Sequence, residues 1–164
     1  MVRWIEFRTT MKKILSFLAV ASALSTIPAS LAQTYDFGDH SSQTLVSKAW
    51  AAQDAKDDAA ILAYTGKCIE MFKTQALDQQ KALSAPPTVK EEVFKQWALN
   101  DVGTAYFIRG QALERQGKNA EAIEAYKVVS EQLPFAQCWD VQGWFWKPAD
   151  AAAGRIKALQ FDAM

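Results

Sequence analysis

The stretch from Gly103 to Ala136, GTAYFIRGQALERQGKNAEAIEAYKVVSEQLPFA, constrains the fold more than any other part of the chain. Ala105, Ile108 and Ala112, with Tyr106 and Leu113 beside them, recur at three- and four-residue steps. That spacing gives a helix one apolar stripe. Ala122, Tyr126, Val129 and Leu133 repeat the pattern in a second helix. Between the two, Gln116-Gly117-Lys118-Asn119 supplies a stop and a restart. Gly117 enters the left-handed region at little steric cost, and Asn119 is placed to cap the next helix, with Glu121 facing the positive end of its dipole. Gly110 and Ala122 are small where two helices must cross closely, and Pro134, which lacks an N–H, cannot continue the second helix. The stretch therefore reads as one helix-turn-helix hairpin.

Set out in this way, the hairpin resembles a tetratricopeptide repeat, whose pattern is W-x2-L-G-x2-Y, then A-x3-F, then P, over about 34 residues. Tyr106 stands for the Trp, Gly110 for the Gly, Leu113 for the Tyr, Ala122 for the Ala, Tyr126 for the Phe and Pro134 for the Pro. Arg109 sits where a Leu is usual. The resemblance covers about a fifth of the chain. It implies an all-α fold of TPR-like hairpins, in which the first helices line a concave, peptide-binding face. On that face it places Thr104, Phe107, Gln111 and Glu114, roughly opposite Ile108 and Ala112. An ordinary solvated face is the plainer reading of the same four residues.

A degenerate second hairpin occupies about 42–75. Ser42 can cap a helix carrying Leu45, Ala49 and Ala52, and Asp57 or Asp58 can cap another carrying Ile61, Tyr64, Cys68 and Phe72. A shift of 61 residues pairs Leu45 with Tyr106, Ala49 with Gly110, Ala52 with Leu113, Ile61 with Ala122 and Thr65 with Tyr126. The periodicity survives and the consensus residues do not. The second of these helices has no breaker through Gln75, Gln79 and Leu83, until Ser84-Ala85-Pro86-Pro87-Thr88 forces an extended turn. Thr88 and Glu91 then form a capping box for a helix bearing Phe94, Trp97 and Leu99. After Pro134, an aromatic segment broken by Gly143 and Pro148 leads to an Ala-rich helix from about Ala149 to Gln160. Its expected role is to cover the last hairpin, because terminal repeats leave an apolar face unpaired. The 164 residues, half of them hydrophobic, suffice for one all-α domain over 43–162 with about five or six helices.

Ahead of that domain, Met11-Lys12-Lys13 and the apolar run from Ile14 to Ile27 read as a secretory signal, with small residues at Ser30 and Ala32 before a cleavage point. The expected signal spans 1–32, with Met11 read as the true start, and 33–42 is expected as a flexible leader. The apolar run falls short of the ~20 residues that a spanning helix needs. The expected address is periplasmic or secreted, with no stable membrane insertion after cleavage. Removing Arg3, Arg8, Lys12 and Lys13 from the 18 basic residues, and Glu6 from the 18 acidic ones, leaves 14 against 17. Such a balance offers no electrostatic footprint for nucleic acid.

No P-loop, dinucleotide fingerprint, nucleophile elbow or metal-ligand spacing occurs, so neither catalytic residue, metal nor cofactor is assigned. His40, the single histidine, reads as a bystander. Trp139, Trp144, Phe145 and Trp146 admit two readings: a stacking platform for a sugar or peptide, and packing between the last hairpin and its covering helix. Cys68 and Cys138 are equally open to two readings, a disulfide in an oxidising compartment or two small buried hydrophobes. The chain also resembles short exported proteins labelled beta-glucanase precursors, which implies an exported glycan-acting enzyme or glycan-binding protein. Such hydrolases need two carboxylates across the scissile bond, and the sequence singles out no pair. The reading that follows is an exported, non-catalytic helical-repeat module that binds a protein or peptide in the cell envelope.

Overall fold

The computed structural model describes residues 34–140 and 142–162. Its elements are α1 (Ser42–Asp54), α2 (Asp58–Ala82), α3 (Lys90–Lys95), α4 (Trp97–Arg115), α5 (Asn119–Lys127), a π-helical turn (Val128–Gln132), strands β1 (Cys138–Trp139) and β2 (Phe145–Trp146), and α6 (Pro148–Asp162). The described chain is mostly helical and all-α in class, with the two-residue strands its only sheet. The expected signal at 1–32 lies outside the described residues. None of the described helices is long and apolar enough to cross a membrane.

Short polar side chains set the first two helix starts. Ser41, one residue ahead of the expected Ser42, accepts the Thr44 N–H at 3.2 Å, and Asp57 accepts the Ala60 N–H at 3.0 Å. The other two expected caps are not used. Val89, in extended conformation, takes the position before α3, which leaves Thr88 one residue too early to reach the first turn. Before α5, Gly117 adopts φ 72° and the Lys118 N–H returns to the Leu113 carbonyl at 2.9 Å. This tight reversal makes Lys118 the cap position and Asn119 the first helical residue.

The segment ahead of α1, expected as a flexible leader, is packed. Tyr35 and Phe37 both meet the Tyr64 ring of α2, with ring centroids at 5.7 and 5.9 Å. His40 takes φ 60° in the turn that enters α1.

α1 and α2 form the first hairpin, and Leu45, Ala49, Ala52, Ile61 and Thr65 are all buried in it. The extra length of α2 serves as a brace. Gln79 accepts the Leu99 N–H at 2.8 Å and donates to the Lys95 carbonyl at 3.2 Å, which fixes the joint between α3 and α4. Gln80, beside it, accepts the Phe135 N–H at 2.9 Å.

α4 is the central helix, touching α1, α2, α5, α6 and β1. It is apolar on nearly every side from Ala98 to Leu113, the pattern of a core helix rather than of one with a solvated face. Arg109, set among apolar residues of α4, donates to the Leu62 carbonyl at 3.3 Å and so ties α4 to α2. α4 and α5 form the second hairpin around Gly110, where a Cβ would lie 2.5 Å from Cε1 of Tyr126. Only glycine leaves room for that ring.

α6 covers the second hairpin, as expected for the Ala-rich helix. Ala149, Ala152 and Leu159 pack with Phe107, Leu113, Ala122, Ala125, Tyr126 and Val129. This packing overturns the face assigned to α4. Phe107 is 7% exposed and Thr104 2%. Gln111 is half-buried, and its Oε1 has no hydrogen-bond partner among the described residues. Glu114 is half-buried as well, accepting the Tyr126 hydroxyl at 3.0 Å and Nε of Arg155 from α6 at 3.1 Å. The four residues do share one side of α4, but α5, α6 and β2 close over most of it, so they form no open groove.

Candidate functional site

The cavity that stands out is ≈ 710 Å³ and lies between α1, α4 and the β-hairpin, within the size range of small-ligand sites. On α4 its wall comes from the N-terminal half of the helix, which shares only Thr104 with the residues assigned from sequence. Trp97, Asn100, Asp101 and Thr104 face it from α4, Ser42 and Gln43 from α1, Phe72 from α2 and Phe94 from α3. Trp139 and Phe145 close it from the hairpin. Of the four sequence-assigned binding residues, Thr104 alone lines this cavity.

The two-residue strands explain how one aromatic run serves two environments. β1 and β2 are antiparallel, with Trp139 opposite Phe145 and Cys138 opposite Trp146. Successive strand residues point to opposite faces. Trp139 and Phe145 therefore share one face, edge to face at 4.8 Å, and Phe94 joins them at 5.5 Å from the Phe145 ring. Trp146 points the other way and packs on Phe107 at 5.4 Å. The turn that joins the strands is closed by Asp140, whose N–H donates to the Trp144 carbonyl at 2.8 Å, and by Gly143 at φ 105°. Both readings of the segment are thus realised, each by different residues. Trp146 is packing, whereas Trp139, 38% exposed, belongs to the cavity wall; Trp144 is exposed and lies outside it.

Aromatic exposure continues around the mouth. Phe94 and Trp97 are 49% and 40% exposed, although each has an aromatic neighbour: Trp97 stands edge-on to Phe72 at 5.6 Å. Large rings left this accessible around one concavity mark a surface with a use. The Lys90 ammonium, which is not part of the cavity lining, stands over the Trp139 ring at 4.2 Å from its centroid and over Phe94 at 5.7 Å.

The polar part of the wall is held rigidly. Asn100 donates to the Val93 carbonyl at 2.7 Å and accepts the Gln137 N–H at 2.9 Å, while Gln137 donates to the Pro87 carbonyl at 2.7 Å. These bonds lock α3, α4 and the approach to β1 together. Asp101 accepts the Ser42 hydroxyl across the gap to α1. Burial pushes the Asp101 carboxyl above the ordinary carboxylate range, and the Ser42 bond offsets that only in part. Among the described residues it is the single charged one in the cavity wall.

The two cysteines are free thiols. Cys68 is fully buried among α1, α2 and α4 and its thiol is pushed up to about 12, first by burial and then by the Asp101 charge. Burial also raises Cys138, which lines the cavity and is unbridged. Neither has the lowered thiol pKa of a nucleophile. Among the described residues no three His, Cys, Asp or Glu side chains gather as a metal site.

Sequence reading missed Asp101, Trp97, Phe94 and Ser42 as a set, because they come from three helices whose packing no local pattern discloses. One signal was present: Trp97 and Asp101 are one helical turn apart, immediately ahead of the repeat-like stretch. No family model, curated protein or solved structure matches the chain.

Proposed function

We propose that the chain is an exported, non-catalytic helical module, of tetratricopeptide-like design, that binds a peptide segment of a protein partner in the cell envelope. Its binding site is the aromatic cavity between α1, α4 and the β-hairpin, in place of the Phe107 side of α4. The observation that carries this reading is the ring of aromatics, exposed Phe94, Trp97 and Trp139 with half-buried Phe145, around a concavity with fixed polar groups at Asn100, Asp101 and Gln137. Sites for small ligands and short peptides have this composition: apolar walls give affinity, and a few held polar groups give orientation. The α4–α5 hairpin, with Gly110 making way for Tyr126, supports the repeat-like design. The signal-like run at 11–32 supports export.

The second reading is a glycan site, since indole faces also stack on sugars. Glycoside hydrolysis by the paired-carboxylate route needs two carboxyl groups about 5 to 10 Å apart, and the cavity wall contributes one, Asp101. The wall therefore favours binding over hydrolysis. Parallel selection from a displayed peptide library and a glycan array, each repeated with Trp139→Ala, separates the readings. Peptides that are retained by the protein and lost with Trp139→Ala are the expected result. Enrichment of glycans, with no peptide sensitive to Trp139, would overturn it.

A further inference from the structure

We propose that the cavity is a receptor for a lysine side chain of the bound peptide, its ammonium seated against the indole and phenyl faces and paired with Asp101. The inference rests on the peptide-binding reading above and adds the chemistry of the recognised residue.

Three observations point to a cation. Among the described residues, Asp101 is the one charged group in the wall, and the groups that face it carry no positive charge: Ser42 from α1, Cys68 from α2 and Cys138 from β1. A carboxylate withdrawn from water and held by a single hydroxyl lacks a counter-charge, a costly arrangement that a ligand cation would relieve. Around it, Phe72, Phe94, Trp97, Trp139 and Phe145 supply ring faces, whose negative quadrupoles attract ammonium groups. The third observation identifies the cation. Lys90 of the chain itself already stands over Trp139 at 4.2 Å and over Phe94 at 5.7 Å. A lysine ammonium on these rings is therefore an arrangement that the free protein adopts. The cavity volume of ≈ 710 Å³ also exceeds what one lysine side chain fills, leaving room for its neighbours in a peptide.

The test uses the full chain and blocked alanine pentapeptides with lysine, acetyl-lysine, norleucine or glutamate at the centre, followed by indole fluorescence and calorimetry. The lysine peptide is expected to bind at least ~10-fold more tightly than the acetyl-lysine and norleucine peptides, with no binding of the glutamate peptide. Asp101→Asn, which keeps a partner for the Ser42 hydroxyl, should abolish that preference. Equal binding of acetyl-lysine, norleucine and lysine, or a lysine preference unchanged in Asp101→Asn, would overturn the assignment while leaving a peptide site in place. Butylamine binding as tightly as the lysine peptide would equally overturn it, in favour of a site for free small amines. Circular dichroism of each variant guards against loss of fold.

Discussion

Replacing Gly110 with alanine sets two known effects against each other at one position. In a helix interior, alanine is favoured over glycine by ~1 kcal/mol. The structure places the new Cβ 2.5 Å from Cε1 of Tyr126 and 2.8 Å from both Cδ1 and Cζ, about 1 Å inside ordinary contact. Tyr126 is fully buried, with Phe107 at 5.8 Å and Val129 in the same cluster, so its ring cannot retreat freely. Its hydroxyl is held by Glu114 at 3.0 Å, and any swing of the ring weakens that bond. Overpacking of this kind costs about 1 to 3 kcal/mol, and a hydrogen bond to a charged acceptor contributes about 1.5 to 3 kcal/mol. With partial loss of the bond and the helix gain subtracted, the expected result is a net destabilisation of roughly 1 to 3 kcal/mol. For a domain of this size that lowers the melting temperature by about 3 to 10 °C. Gly154→Ala in α6 is the control, because no atom lies within 4 Å of its built Cβ; it should gain ~0.5 to 1 kcal/mol from helix propensity alone. Thermal melts followed by circular dichroism compare the two. If Gly110→Ala matches Gly154→Ala, the close crossing of α4 and α5 is wrong.

Phe107→Ala should cost ~3 to 5 kcal/mol, as truncation of a core aromatic does, and chemical denaturation measures it; an unchanged midpoint would return Phe107 to the surface. Ellman's reagent should find Cys68 unreactive in the native protein and two free thiols after unfolding without reductant, and a count of zero would establish a disulfide. Asp101→Asn should stabilise the protein near neutral pH. The folded carboxyl binds its proton more tightly than the unfolded one, so wild-type stability falls as pH rises from about 3.8 through the raised value. The difference between wild type and Asp101→Asn in denaturation midpoints should open across that window and stay open above it. A difference independent of pH would show that Asp101 is not desolvated. Because this variant is expected to gain stability, loss of lysine-peptide binding in it would not be a folding defect.

Both hairpins were legible because their signals are local. Three- and four-residue spacing marks an apolar stripe, Gly117 is well suited to a reversal at positive φ, and the run from Lys67 to Ala82 contains neither glycine nor proline. What misled was the choice of face on α4. A stripe through Ile108 and Ala112 is real, and in a helix with a single covered side its opposite would be solvated. α4 has four neighbouring helices, however, and Phe107 among Val102, Ala105 and Ile108 was the hint that no side of it is free. The caps went astray for a related reason: Thr88 and Asn119 are good cap residues, but the backbone of a tight reversal or an extended Val89 decides which residue occupies the cap position.

The aromatic segment shows why a site of this kind eludes a reading based on helical periodicity. Density of tryptophan and phenylalanine within eight residues says that a large apolar area must be placed somewhere, and in an all-helical chain the gap under the last helix is the natural place. Two residues of antiparallel pairing change the answer. The strand period of two sends Trp146 into that gap and turns Phe145, its neighbour, towards the opposite face, where the register sets it against Trp139. The other half of the wall comes from Phe94 and Trp97, some forty residues earlier, and is held in place by the bond of Asn100 to Gln137. A short hairpin in a helical protein is marginal by itself. Here it is kept because one face is anchored in the core by Trp146, and the face left over becomes the cavity wall.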